Sequence, residues 1–369
     1  MPLSIIQPQH YEALLREKVA TTQALLARFG APAPEVYPSP ATGFRMRAEF
    51  RIWHEGDQLD YVMFRPEDPK TPVAVREFPI ACETIQHLMP ELQGLLKVSE
   101  TLRRKLFQVE FLSTLAGDTL VTLIYHRKLD SEWEQAAETL RPRLQELVPG
   151  LSLIGRSRKQ KHILGKDWVT EALPLGERSF TYRQFEQAFT QPNARVNMEM
   201  IRWACARAAG LGGDLLELYC GNGNFTLPLS QHFGTVIATE LAKISVRAAK
   251  HNIEANGIGN IQVIRLAAEE VTQAVNGERE FRRLANLPRP LADYDLQTVF
   301  VDPPRAGLDA YTVGMAAGFE NIIYISCNPQ TLADNLQVLG KTHRVENFAL
   351  FDQFPYTAHM ECGLFLRRN

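Results

Sequence analysis

The sequence has no run of eighteen apolar residues, so no stretch is long enough to cross a bilayer as a helix. Its opening, MPLSIIQPQHYEALLREK, turns polar too soon for a secretory leader. Cysteine is scarce: Cys82, Cys205, Cys220, Cys327 and Cys362 are the five, an odd number at irregular spacing. That excludes a disulfide framework and suits a reducing compartment, so a cytoplasmic location is expected. No CxxC pair occurs, which argues against a zinc knuckle or an iron–sulfur cluster, and no metal is expected. Charge of one sign is lacking too. With a net charge of −2, any nucleic acid must be held by local stripes rather than by a basic body. Internal repeats and low-complexity tracts are absent.

What remains is ordinary globular material, 369 residues at 45% hydrophobic content, enough for two domains. Residues 11–29 carry Tyr11, Leu14, Leu15, Val19, Leu25, Leu26 and Phe29 at helical spacing, and the Pro-rich stretch APAPEVYPSP ends that helix. FRMRAEFRIW then alternates strictly: Phe44, Met46, Ala48, Phe50 and Ile52 share one face, Arg45, Arg47, Glu49, Arg51 and Trp53 the other. Further strands are predicted near 107–113, 119–126 and 150–156, with a helix over 131–147. Residues 1–180 therefore read as an α+β domain on an antiparallel sheet.

From residue 181 to 369 the rhythm changes to short apolar runs separated by helices: LLELY, TVIAT, IQVIR, TVFV, IIYIS, VENFALF and GLFLRR. This predicts an α/β domain with a doubly wound, seven-stranded Rossmann-like sheet. The last two strands lack an intervening helix, so one of them is antiparallel. The long polar connection over 275–297 reads as a lid or an RNA contact.

LLELYCGNGNFTLPLS is a buried strand, a glycine turn and a helix. Gly221 and Gly223 allow close approach of a ligand to the backbone. No third glycine follows, unlike the dinucleotide fingerprint, and the next strand ends in Glu240, suited to both ribose hydroxyls of an adenosine. The helix start after Asn224 favours the amino acid portion of such a cofactor. The competing reading of Glu240 is a cap of the next helix, and the pattern favours the adenosyl cofactor over it.

VFVDPPRAGLD puts Asp302 at the carboxyl end of a buried strand, where open α/β sheets hold ligands. Amino-group methyltransferases follow a similar acidic-Pro-Pro element with a base-stacking aromatic; here Arg305 stands in its place. The next strand delivers Cys327 in SCNPQTL, ahead of a helix whose N–H groups favour a thiolate. An isolated cysteine is more often a small buried hydrophobe, but beside Asp302 and a cofactor turn a nucleophile is the better reading. Methylating carbon 5 of a uracil needs such a nucleophile on C6 and a separate base for the C5 proton. Glu361, in HMECGLFL, is the base candidate. His359 beside it does not make a zinc deaminase, because the required CxxC is missing.

ELYCGNGNF, FVDPPRAGLD, YISCNPQTL and HMECG together resemble the RNA 5-methyluridine methyltransferase family, as do MRAEFRIWH, RRKLFQ, AFTQPN and LFDQFPYTAHMECG. The likeness spans nearly the whole chain and is greatest to the tRNA-acting branch. It implies S-adenosyl-L-methionine as cofactor, with Gln191, Tyr219, Asn224, Glu240 and Asp302 lining its pocket. It implies Cys327 as nucleophile and Glu361 as base. It also implies the tRNA T-arm as partner, uridine 54 of its T-loop as target, and other RNAs of T-loop-like fold as further substrates. No membrane or protein partner is implied. Relatives acting on ribosomal RNA carry a cysteine cluster that this chain lacks.

For RNA contact the Arg45/Arg47/Arg51/Trp53 face is the main candidate. Phe107 and His126 are further candidates, and the basic run GRSRKQKH over 155–162 suits phosphates. Two other readings compete: a ribosomal RNA enzyme without its cluster, and a noncatalytic RNA-folding protein that keeps the motifs.

Overall fold

A computed structural model describes residues 6–65 and 67–369. The chain forms two compact units. One holds Pro40–Ala172 and Arg183–Ala194 together with the segment ending at Gln9; the other holds His10–Ser39, Leu173–Tyr182 and Arg195–Asn369. This corrects the single boundary expected near residue 180, since the first helix belongs with the C-terminal unit.

In chain order the elements begin with α1 (Tyr11–Ala27), β1 (Glu35–Tyr37), β2 (Arg47–Glu55), β3 (Gln58–Arg65) and β4 (Asp68–Ala74). Next come α2 (Glu83–Val98), α3 (Glu100–Arg103), β5 (Leu106–Ser113), β6 (Thr119–Tyr125) and α4 (Ser131–Gln145). They continue with β7 (Ser152–Ser157), β8 (Gln160–Leu164), the ribbon β9 (Trp168–Leu175) and β10 (Arg178–Phe185), and α5 (Ala194–Ala208). The remainder alternates: β11 (Asp214–Leu218), α6 (Thr226–Leu229), β12 (Val236–Thr239), α7 (Lys243–Ala255), β13 (Ile261–Ile264) and α8 (Ala268–Val275). It closes with β14 (Leu296–Val301), α9 (Ala310–Ala316), β15 (Asn321–Ser326), α10 (Pro329–Leu339), β16 (His343–Phe351) and β17 (Glu361–Arg368).

The first unit is built on a seven-stranded sheet, order β4-β3-β2-β5-β6-β7-β8. Only the β6–β7 pair is parallel, because helix α4 carries the chain across between them. The alternation read in β2 holds: Phe44, Met46, Ala48, Phe50 and Ile52 are buried, while Glu49, Arg51 and Trp53 face solvent. Helix α4 starts at Asp130, whose carboxylate accepts from the Trp133 N–H at 3.0 Å. It buries Trp133, Ala137, Leu140 and Leu144, a one-sided stripe at helical spacing. Gly155 on β7 makes room for that stripe, since a Cβ there would lie 2.1 Å from the Trp133 ring.

The second unit carries a sheet ordered β1-β16-β17-β15-β14-β11-β12-β13. The doubly wound fold is as expected, with eight strands rather than seven: β1, read only as a Pro-rich linker, pairs in parallel with β16. Strand β17 runs antiparallel to both β15 and β16. One face of the sheet is closed by α8, α9, α10 and residues of α1 around Leu216, Val299, Tyr324 and Leu364. On the other face Trp203 of α5 packs edge-on against Phe351. The 275–297 connection is no free lid, because Phe281, Leu284, Leu287 and Leu291 pack against the same core and Arg289 pairs with Asp214 at 2.6 Å. No helix among the described residues is long and apolar enough to cross a membrane.

Helix α1 also pins the loop that precedes β17. Lys18 Nζ donates to Asp352 Oδ1 at 2.5 Å and to the Phe354 carbonyl at 3.2 Å, and Tyr11 meets Tyr356 edge-on. Both charges are almost fully enclosed, with side-chain exposures of 10% and 1%. Removing one partner strands the other in low dielectric. Lys18→Met should therefore lower the unfolding free energy by about 3–5 kcal/mol in urea titrations, and Lys18→Met with Asp352→Leu should recover most of it. A single variant as stable as the parent would contradict this account.

Candidate active site

The glycine turn after β11 opens with Tyr219 in a left-handed conformation, φ 61°. A bulky side chain rarely tolerates this outside a functional turn. Tyr219 and Glu240 line a cavity of about 420 Å³, together with Thr239, Leu266, Ala267, Glu269 and the Pro304–Gly307 turn. Glu240 Oε2 accepts from the Gly221 N–H at 3.1 Å and Oε1 from the Ala242 N–H at 2.6 Å. It thus braces the turn and the residue that leads into the next helix, as well as facing the cavity. Asn224 exchanges two 2.8 Å hydrogen bonds with the buried Asn197 of α5, and its carbonyl accepts from Tyr182 Oη. Asn197 was not legible as a site residue, since nothing in the α5 sequence distinguishes it from a solvated helix face. Gln191 belongs to the first unit, in the segment ahead of α5.

Beneath the turn Glu217 is fully buried on β11, and its Oε2 has no hydrogen-bond partner. Burial pushes its carboxyl up to about 8, and Thr226 beside it offsets little of this. Asp302, at the end of β14, is raised to about 7 by the same cause. An acid whose folded pKa lies above its unfolded one binds more protons when folded, so stability falls as pH rises between the two values. Glu217→Gln removes this penalty. Its melting temperature should match the parent's near pH 4, exceed it increasingly up to about pH 8, and keep a constant lead above that. A parallel pair of melting curves across this range would show that Glu217 ionises freely in the fold.

Cys327 lies at the junction of β15 and α10, just before Asn328, whose side chain caps the helix by accepting from the Gln330 N–H at 3.2 Å. The antiparallel register pairs Ser326 with Cys362. Cys327 follows that pair just past the end of β15, and Glu361 precedes it as the first residue of β17. Glu361 is 4% exposed, and burial followed by the charge of Asp302 holds its carboxyl well above the usual carboxylate range. Burial, then Glu361 and Asp302, push the half-buried Cys327 thiol up to about 11, while Arg305 acts in the opposite direction. Three acids so placed cannot all ionise together. Arg305 Nη2 lies 3.1 Å from His359 Nδ1. Burial, then the charges of Arg305 and Lys18, lower the pKa of the imidazole. The Asp302–Gly307 turn thus borders the cavity through Pro304 and reaches the thiol through Arg305.

In the first unit the face read as basic is only partly available. Arg47 donates to the carbonyls of Ala188 and Glu186 at 3.0 Å, and Arg45 Nε donates to the Arg47 carbonyl at 2.8 Å. Both are committed to the fold. Arg51 instead places its guanidinium 3.8 Å from the centre of the Phe107 ring, and His126 stacks on Phe107 at 3.9 Å and 25°. At such distances the two must take opposite faces, so Phe107 is sandwiched in an Arg–Phe–His stack whose outer members are exposed.

Comparison with known proteins supplies the frame. Residues 10–369 match the model of a family described as tRNA (Uracil-5-)-methyltransferase. The chain belongs to that family. A protein of Edwardsiella ictaluri named tRNA/tmRNA (uracil-C(5))-methyltransferase is 52% identical over 369 residues, 100% of each chain. One of Vibrio cholerae with the same name is 53% identical over 364 residues, covering 99% of this chain and 98% of its own. The fold resembles the crystal structure of Pyrococcus abyssi tRNA (uracil-54, C5)-methyltransferase in complex with S-adenosyl-L-homocysteine. That likeness has a TM-score of 0.73 and 20% identity, over 98% of this chain and 85% of the other.

Proposed function

We propose that this chain methylates carbon 5 of a uridine in tRNA, the T-loop uridine 54, with S-adenosyl-L-methionine as donor, in the cytoplasm. The observation that carries the reading is the nearness of a thiol and a buried carboxyl, Cys327 just past β15 and Glu361 at the start of β17, on either side of the paired Ser326 and Cys362 and beside a turn shared with a cavity. Family membership over residues 10–369 supports uracil C5 as the acceptor. The names of the relatives extend the proposal to tmRNA.

The cavity suits an adenosyl cofactor. Glu240 offers a carboxylate to a ribose, and Tyr219 and Leu266 offer apolar walls. The orphaned Oε2 of Glu217 leaves a buried acceptor beneath the turn. When bound, the cofactor supplies an electrophilic methyl group. Asn224, Asp302 and Gln191 complete the proposed set of cofactor residues.

The chemistry of the chain's own groups follows. Cys327 Sγ, as thiolate, bonds to C6 of the uracil, and the electrons of the C5–C6 double bond move onto C5, the methyl acceptor. Once C5 has bonded the methyl group with that electron pair, Glu361 removes the C5 proton. The electrons of the C5–H bond restore the double bond as the C6–S bond breaks and the thiolate leaves. Arg305 favours the thiolate, and the burial that makes Glu361 a reluctant acid makes its carboxylate a stronger base.

Incubation with unmodified tRNA and cofactor, followed by mass mapping of the nucleosides, should place 5-methyluridine at the T-loop. Cys327→Ala should give none. Glu361→Gln should accumulate a covalent protein–RNA band that survives denaturing electrophoresis, because the methylated adduct keeps its C5 proton. Normal turnover by Glu361→Gln would remove it from the base role.

The Arg51–Phe107–His126 stack is the proposed platform for an unpaired base, with the outer faces of Arg51 and His126 receiving it. Stacking on such a surface is worth about 1–3 kcal/mol per base. Phe107→Ala should accordingly weaken tRNA binding by about 5–150-fold, and unchanged affinity would rule the stack out as an RNA contact.

A further inference from the structure

Beyond the stack, one end of the first unit's sheet gathers cations that the fold does not use. Leu106, at the start of β5, pairs with Tyr125 at the end of β6. Ile124 of β6 pairs in parallel with Arg156 near the end of β7, and Ser157 with Gln160 closes the β7–β8 hairpin. The register therefore sets three turns side by side: Arg104–Lys105 before β5, His126–Lys128 after β6, and Arg158–Lys159 between β7 and β8. Neighbouring strands lie about 4.8 Å apart, so the three turns span on the order of 10 Å. Arg104, Lys105, Lys128, Arg158 and Lys159 are all exposed. Among the described residues, none of the five side chains makes a hydrogen bond or an ion pair.

Two further observations separate this rim from a chance scatter of surface charge. The rim is built rigidly. Arg127 Nη2 donates to the Thr101 carbonyl at 2.8 Å and its Nε to the Arg104 carbonyl at 3.1 Å, tying the first turn to the second. Ser157 Oγ donates to the Arg127 carbonyl. Gln160 brackets Leu129 with two hydrogen bonds, tying the second turn to the third. The acid nearest to hand, Asp130, is taken up by Arg127 and by the α4 cap. The other observation is conformational. Among its described residues the first unit has two non-glycine residues at positive φ, and both are lysines of this rim, Lys105 at 60° and Lys159 at 62°. Glycine or asparagine would hold either position at lower cost, and the chain instead places an exposed cation at both.

We propose that this rim is a second RNA contact, a track for consecutive phosphates that runs from the Arg51–Phe107–His126 stack across the ends of β5, β6 and β7. Exposed cations in a fixed row neutralise a backbone without reading bases. The acidic turn between β2 and β3, with Glu55 and Asp57, marks the side on which the track ends. The proposal rests on tRNA being the substrate and on the stack as its platform. It adds the direction in which the RNA leaves that platform.

The test compares the full chain with a variant carrying Arg104→Gln, Lys105→Asn, Lys128→Gln, Arg158→Gln and Lys159→Asn. Asparagine is chosen where φ is positive, and an unchanged melting temperature confirms the fold. Binding of an unmodified tRNA transcript is measured over a series of salt concentrations. The slope of log affinity against log salt should flatten by about 0.7–0.9 for each phosphate that the variant no longer neutralises. The weakening should appear in Kd and KM rather than in kcat. An unaltered slope and affinity, with methylation of the same transcript intact, overturns the rim and leaves the enzyme reading standing. A flattened slope without 5-methyluridine from the parent protein overturns that reading and leaves the rim standing.

Discussion

The proposed active site depends on the direction of one strand. In a parallel sheet every strand delivers its carboxyl end to the ligand edge, and Asp302 and Cys327 arrive there in that way from β14 and β15. A residue at the amino end of a parallel strand would lie at the opposite edge. Because β17 is inserted antiparallel between β15 and β16, its first residue, Glu361, reaches the same edge. A thiol and a carboxyl thereby come close together at one sheet edge although 33 residues and a helix separate them in the chain.

That juxtaposition has an electrostatic consequence. Burial is the largest cause of reluctance to ionise in Cys327, Glu361 and Asp302 alike; Glu361 and Asp302 add to it at the thiol, and Asp302 adds to it at Glu361. The arrangement is tolerable at rest because the groups can remain protonated. Arg305 is the counterweight, and its charge helps to disfavour the protonated form of the His359 beside it. The loop carrying His359 and Glu361 is in turn held by Lys18 of the first helix. A buried ion pair is a weak source of stability, so its value here lies in fixing where the last strand begins.

The first unit follows a different logic. Its sheet uses alternation to bury one face, and the exposed ends of three adjacent strands concentrate charge that composition conceals. A net charge of −2 is compatible with a basic rim because the neighbouring acids are consumed by internal pairs, as with Glu186 held by Arg156 and Lys161. Arg45 and Arg47 show the converse: two cations on a well-read strand face are spent on backbone carbonyls within the unit.

Local pattern alone determined which residues stood out as candidates for the chemistry and which secondary structure surrounds them. The alternation of FRMRAEFRIW, the glycine turn, and the strand ends at Asp302 and Cys327 are all properties of a few adjacent residues, and all appear in the fold. Partnership between distant segments was decided only in three dimensions. The sequence could not show that Glu35–Tyr37 extends the second sheet or that Asn197 pairs with Asn224. Nor could it show that Arg51, Phe107 and His126 form one stack. The physical reason is that side-chain periodicity reports which face of an element is buried, whereas register, strand direction and charge pairing depend on which elements become neighbours.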